Sequence, residues 1–199
     1  MIVLVLGGAR SGKSEVAERM AARLPQPVTY VATAVLGKGA GPERVGPVAA
    51  ESEPVAGDLA ARVAAHRARR PAAWATVELP LGADLADATR RLTGTLLVDS
   101  LGVWLAGREN LDSDGGRLCR ELVARAGDTV VVSDEVGLGV HPSTAAGLAF
   151  RDALGELNRR LSEVADDAVL VVAGRVLRLV AGEPEAGAEA GVGAEAGGA

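Results

Sequence analysis

The chain has 199 residues, 48% of them hydrophobic and 24% charged, with a formal net charge of −5. That length and apolar content predict one globular domain with a sizeable core. The negative balance excludes a protein that grips nucleic acid by neutralising phosphates across a basic surface.

Along the chain, "MIVLVL" opens an apolar run too short for the core of a secretory signal, and "IVLVL" (2–6) reads as a strand. "SEVAERMAARL" (14–24) has helical spacing, and "VTYVA" (28–32) is a second strand. The stretch 37–57 is rich in Gly, Pro and Glu and reads as a surface insertion loop. "LAARVAAHRARR" (59–70) follows Asp58 as N-cap and stops at Pro71, a helical pattern. "TLLVD" (95–99), "TVVVS" (129–133) and "AVLVVA" (168–173) complete the strands. Between the last two lies a long helix at 144–166, with Leu154, Leu157, Leu161 and Val164 on one face. These apolar runs do not alternate, as expected of strands buried on both faces of a parallel sheet. Strand and helix in alternation predict an α/β fold with a mostly parallel sheet. Residues 1–180 form the expected catalytic domain. The Ala, Gly and Glu tail at 181–199 lacks the apolar surface to repay ordering and is expected to be disordered.

Cys119 is the only cysteine, so no internal disulfide can form and a cytoplasmic setting is expected. No stretch reaches the roughly 18 apolar residues of a membrane span. Cys119 reads as a buried helix residue, and His141, before Pro142, as a loop residue without chemistry.

The chemistry starts at "GGARSGKS" (7–14), which fits G-x-x-x-x-G-K-[ST] between a strand and a helix. Gly7, Gly8, Ala9, Arg10, Ser11 and Gly12 would wrap backbone N–H groups round phosphate oxygens, helped by the positive end of the helix. Lys13 would reach the β- and γ-phosphates, and Ser14 would ligate Mg²⁺. A second magnesium ligand should be a carboxylate at a strand end. Asp99 is the first choice, with Asp134 and Glu135 as alternatives; any of them could instead cap a helix.

His66 is followed within four positions by Arg67, Arg69 and Arg70. Fixed guanidinium charge disfavours imidazolium and keeps a histidine neutral and nucleophilic. A neutral imidazole among phosphate-binding arginines suits attack on an α-phosphorus and transient carriage of a nucleotide. A packed helix histidine beside Leu59 and Val63 accounts for the same spacing. The residues alone leave both readings open.

The chain resembles the bifunctional adenosylcobinamide kinase / adenosylcobinamide-phosphate guanylyltransferases of cobalamin biosynthesis. The likeness rests on "GGARSGKS", "YVATA" (30–34), "AARVAAHRARRPAAW" (60–74), "LLVDSLGVWLA" (96–106), "SDEVGLGVHP" (133–142) and "FRDALGELNRRLSEVADDAVLVVAG" (150–174). The resemblance implies a P-loop, RecA-like three-layer fold and a two-step enzyme. Adenosylcobinamide is phosphorylated with ATP or GTP, then GMP passes from GTP to that phosphate through a guanylylated histidine. It places that histidine at His66 and makes His66 and Lys13 the candidate catalytic residues. The implied nucleotide contacts fall on Gly7 through Ser14, Thr33, Ala34, Val35, Arg67, Ala68, Arg69, Arg70, Glu78 and Asp99. Mg²⁺ is the implied ion, and a homo-oligomer, typically a trimer, the implied assembly. The 37–57 insertion and the acidic tail depart from the family pattern. Two competing functions share the P-loop: a small-molecule kinase without guanylyl transfer, and a nucleotide-binding regulatory module whose 37–57 loop responds to the γ-phosphate.

Overall fold

A computed structural model describes residues 1–33 and 70–182. The strands are β1 (Ile2–Gly7), β2 (Val28–Ala32), β3 (Ala75–Glu78), β4 (Thr95–Asp99), β5 (Thr129–Asp134), β6 (Asp167–Val172) and β7 (Arg175–Leu179). They form one sheet in the order β3-β2-β4-β5-β1-β6-β7. All neighbours are parallel except β6 and β7. The helices are α1 (Lys13–Ala21), α2 (Leu85–Arg91), α3 (Leu101–Ala106), α4 (Gly115–Ala124) and α5 (Ala145–Val164).

Alternation along β1 separates two cores. Val3 and Val5 join Val16, Ala17 and Ala21 of α1 on one face of the sheet. Leu4 and Leu6 join Leu85, Leu101, Leu118, Leu154, Leu157 and Leu161 of α2 to α5 on the other. The result is three layers, α/β/α, as the apolar strand runs predict. Each fully buried leucine contributes about 1.5–3 kcal/mol. The helices on the second face start at side-chain caps. Asp84, Asp114 and Thr144 each accept a backbone N–H of the first turn, at 2.9, 3.1 and 3.1 Å.

Two strands lack the apolar signature. β3, "ATVE", is mostly exposed at one edge, and β7, "RVLRL", is exposed along its whole length at the other. β6 and β7 form a hairpin through Ala173 and Gly174, both at positive φ (50° and 76°), the backbone of a two-residue hairpin turn. The expected helix at 59–70 up to Ala68 and Arg69, the 37–57 insertion and the 183–199 tail lie outside the described residues. His141 is an exposed loop residue, and Cys119 is buried on α4.

At the N-terminal ends of β4 and β5, the partly buried Arg125 ties the loops together. Its guanidinium donates to the carbonyls of Gly127, Asp128 and Gly94 and to Thr129 Oγ1 at 2.8–2.9 Å, and to Leu92 O at 3.3 Å.

Candidate active site

The glycine-rich loop leaves the C-terminal end of β1 and enters α1, so it sits over the middle of the sheet. Gly12 is the N-cap of α1 at φ 91°, a conformation that favours glycine, and it supplies no side-chain cap. The first-turn N–H groups are therefore left for an oxygen ligand from outside the helix. Gly7 is fixed by packing: a Cβ there would lie 2.5 Å from Ser11 Oγ and 2.8 Å from Val171 O. The β6–β7 hairpin buttresses the loop from outside, with Gly174 N donating to Ser11 O at 2.7 Å. Ser11 Oγ is buried and has no hydrogen-bond partner among the described residues.

Lys13 Nζ lies 2.7 Å from Asp134 Oδ1 and 3.3 Å from Gly8 O. Register explains the ion pair, because Gly7 pairs with Asp134 across β1 and β5. Asp134 is held from below by the buried Asn158 of α5. The Asn158 amide donates to Asp134 O at 3.1 Å and accepts from Ser133 Oγ at 2.6 Å. Gly102 leaves room for the same carboxylate, since a Cβ there would lie 2.5 Å from Asp134 Oδ2.

The second group of site candidates stands at the tips of β4, β2 and β3. Asp99 and Glu78 both pair with Ala32, one on each side. Asp99 Oδ2 accepts the Tyr30 hydroxyl at 2.8 Å. Burial, then the Asp99 charge, push the Tyr30 phenol far above its ordinary value, so it stays a donor. Arg70 lies over the Tyr30 ring, 3.3 Å from its centroid. Thr33 is buried, and its hydroxyl donates to Ser100 O at 2.8 Å while accepting Ser100 N at 2.9 Å. That hydroxyl therefore latches β2 to the start of α3. Arg70, Trp74, Thr76 and Glu78 line a cleft of about 380 Å³ on this side. A second cleft of about 320 Å³ lies against Gly8 to Ser11, with Glu135, Leu138 and Val172 on its walls.

Of the sequence candidates, Gly7 through Ser14 thus run continuously from the end of β1 through the loop into the first turn of α1, and Arg70, Glu78 and Asp99 form a second group. Ala34, Val35, His66, Arg67, Ala68 and Arg69 lie outside the described residues. Sequence reasoning gave no role to Tyr30 or Asn158. Both stand inside quoted motifs, but their partners come from other elements, so no spacing could reveal them.

The donor set suits a magnesium ion. Hydroxyl and carboxylate oxygens are its preferred ligands, and it is commonly held by one or two carboxylates together with substrate phosphates.

A glycine-rich loop between a central parallel strand and a helix, with its lysine beside a strand-end carboxylate, defines a P-loop nucleotide-binding protein. Within that class, the chain belongs to the CobU family, cobinamide kinase / cobinamide phosphate guanyltransferase, whose family model matches residues 3–179. It is similar to the bifunctional adenosylcobalamin biosynthesis protein CobP of Pseudomonas aeruginosa, 36% identical over 188 residues that cover 91% of this chain and 98% of the relative. It is also similar to the bifunctional adenosylcobalamin biosynthesis protein CobU of Salmonella typhimurium, at 32% over 87% of this chain and 97% of the relative. The protein of that name from Escherichia coli is 29% identical over the same shares.

Proposed function

We propose that this chain phosphorylates adenosylcobinamide with ATP or GTP and then transfers GMP from GTP to adenosylcobinamide phosphate, in cobalamin biosynthesis. The observation that carries the reading is the Lys13–Asp134 cradle, 2.7 Å between the charged atoms, within a family match spanning residues 3–179.

In the first step the acceptor hydroxyl oxygen attacks the γ-phosphorus, the bond to the β-bridging oxygen breaks, and the nucleoside diphosphate leaves as the hydroxyl proton is lost. Lys13 and the loop N–H groups neutralise the charge that spreads over the phosphoryl oxygens. In the second step a His66 nitrogen attacks the α-phosphorus of GTP and pyrophosphate leaves. A phosphate oxygen of the acceptor then displaces the histidine, giving adenosylcobinamide-GDP. Arg70, Glu78 and Asp99, with Arg67, Ala68 and Arg69, contact the nucleotide in this reading, as do Thr33, Ala34 and Val35. Mg²⁺ would be held by Ser14 and Asp99, with Asp134 close to the same phosphates, and supplies charge neutralisation when bound.

The catalytic domain spans 1–180, and the protein acts in the cytoplasm as a homo-oligomer, a trimer by family resemblance. Val176, Leu177, Leu179 and Val180, 38–86% exposed on and beside β7, support a surface made for a second copy. Among the described residues no helix is long and apolar enough to cross a membrane.

GTP labelled on the α-phosphate tests the assignment. Wild-type protein should retain acid-labile GMP and release pyrophosphate, whereas folded His66→Asn should retain none and still phosphorylate adenosylcobinamide. Trapping of labelled GMP by folded His66→Asn protein would place the nucleophile elsewhere.

A further inference from the structure

Tyr30 is the only tyrosine of the chain and is 3% exposed on β2, an interior strand between β3 and β4. A buried phenol needs one acceptor for its hydroxyl, and any carbonyl would serve. Here the acceptor is the carboxylate of Asp99 at the strand tip, 2.8 Å away. The ring face is covered as well, by the Arg70 guanidinium at 3.3 Å from the centroid. Arg70 also reaches Thr76 Oγ1 at 3.4 Å, on the strand next to β2. One rigid side chain therefore touches two flexible groups of opposite charge that arrive from different parts of the chain. Arg70 is four residues after His66, and Asp99 ends the strand beside the one that carries Tyr30.

We propose that Tyr30 is a positioning residue for guanylyl transfer, its ring carrying the Arg70 guanidinium while its hydroxyl fixes the Asp99 carboxylate. The inference rests on the reading of Arg70 and Asp99 as nucleotide contacts given above. The physical reason is pre-organisation. An arginine side chain explores many rotamers, and a planar guanidinium stacked on an aromatic face keeps its fork of N–H groups in one orientation. A carboxylate that accepts a phenolic hydrogen bond is likewise restricted in rotamer. The two arms act on different quantities. The ring sets how well Arg70 meets the phosphate during transfer, and the hydroxyl sets how Asp99 receives bound GTP.

The experiment is single-turnover formation of the GMP adduct from α-labelled GTP by the full chain, with the melting temperature of every variant recorded. Tyr30→Leu, which removes both arms, should slow the saturated rate about tenfold. Tyr30→Phe, which keeps the ring, should hold the saturated rate within about twofold and raise the GTP concentration for half-maximal rate about threefold. Arg70→Ala should slow the saturated rate at least as much as Tyr30→Leu. If Tyr30 works through Arg70, adding Tyr30→Leu to Arg70→Ala should cost less than about twofold more. Tyr30→Met supplies a longer, more adaptable ring-free side chain should Tyr30→Leu fail to fold. Multiplicative losses in the double variant, or equal loss of the saturated rate in Tyr30→Phe and Tyr30→Leu, would overturn the proposal while leaving the guanylyl reading intact. Wild-type protein that traps no GMP would overturn both.

Discussion

Replacing Gly7 with alanine should damage fold and cradle together, and the size of the effect follows from two contacts. The added methyl would lie 2.5 Å from Ser11 Oγ and 2.8 Å from Val171 O. Ser11 Oγ is the end of a side chain and can rotate away. Val171 O belongs to the β6 backbone, in register with Gly7, and cannot move without parting the two strands. The strain therefore passes into the loop, which is tethered by Glu135 N to Gly7 O at 3.0 Å and by Gly174 N to Ser11 O at 2.7 Å. Overpacking of this kind costs about 1–3 kcal/mol. In a chain of this size each kcal/mol lowers the melting temperature by about 2–4 °C, so the fall should be roughly 2–12 °C. GTP affinity should weaken at least about tenfold, equivalent to ~1.4 kcal/mol, because displaced loop N–H groups no longer meet the phosphates together. Thermal unfolding and calorimetric titration with GTP measure the two effects. Gly8→Ala, where a Cβ meets nothing within 4 Å, is the control for stability. A Gly7→Ala protein that melts within about 1 °C of wild type and binds GTP normally would refute the packing argument.

Three further outcomes are expected. Lys13→Ala should weaken triphosphate binding by about 100-fold and abolish both transfers, since a charge-assisted contact to phosphate is lost in each; retained turnover in either assay would count against one shared cradle. Arg125→Met strips five hydrogen bonds from loop acceptors, some of which water can refill, and should cost about 3 kcal/mol in urea unfolding while GTP affinity in the folded protein is unchanged. Glu156 is drawn from its ordinary 4.5 down to about 2 by hydrogen bonds from Arg159 and Arg160. A lowered carboxylate stabilises the fold above its unfolded value and loses that contribution as pH falls through the folded one. The difference in urea midpoint between wild type and Glu156→Gln should therefore be present at pH 6 and shrink between about pH 4.5 and pH 2.

The interior of the sheet was legible in the sequence because strands buried on both faces carry unbroken apolar runs, as at 2–6 in β1 and 130–132 in β5. β3 and β7 escaped for the converse reason. Their edge positions leave side chains exposed, so "ATVE" and "RVLRL" need no apolar run. The phosphate loop was legible because all its parts are consecutive. The placement of Asp134 against Lys13 was not, although both residues stood in quoted motifs. It depends on the register of β1 against a strand more than 120 residues later. Tyr30, Arg70 and Asp99 illustrate the same limit, since a stack and a hydrogen bond between three separate segments leave no periodic trace.

The position of β1 also sets the order in which this chain can mature. Its two neighbours, β5 and β6, are made more than 120 and more than 160 residues later, and Ile2 N is finally capped by Asp166 Oδ2 at 2.6 Å. Until residue 172 has been synthesised, the apolar hexapeptide at the centre of the sheet has no partner on one side. Such delayed, long-range pairing slows folding and leaves a sticky segment open to aggregation or to chaperones. The hairpin that props Ser11 comes later still, at Gly174. A nascent chain therefore completes its grip on phosphate only after Gly174 has been made. A nucleotide that binds only the finished cradle shifts the balance toward the completed fold, protecting newly made protein in proportion to the GTP around it.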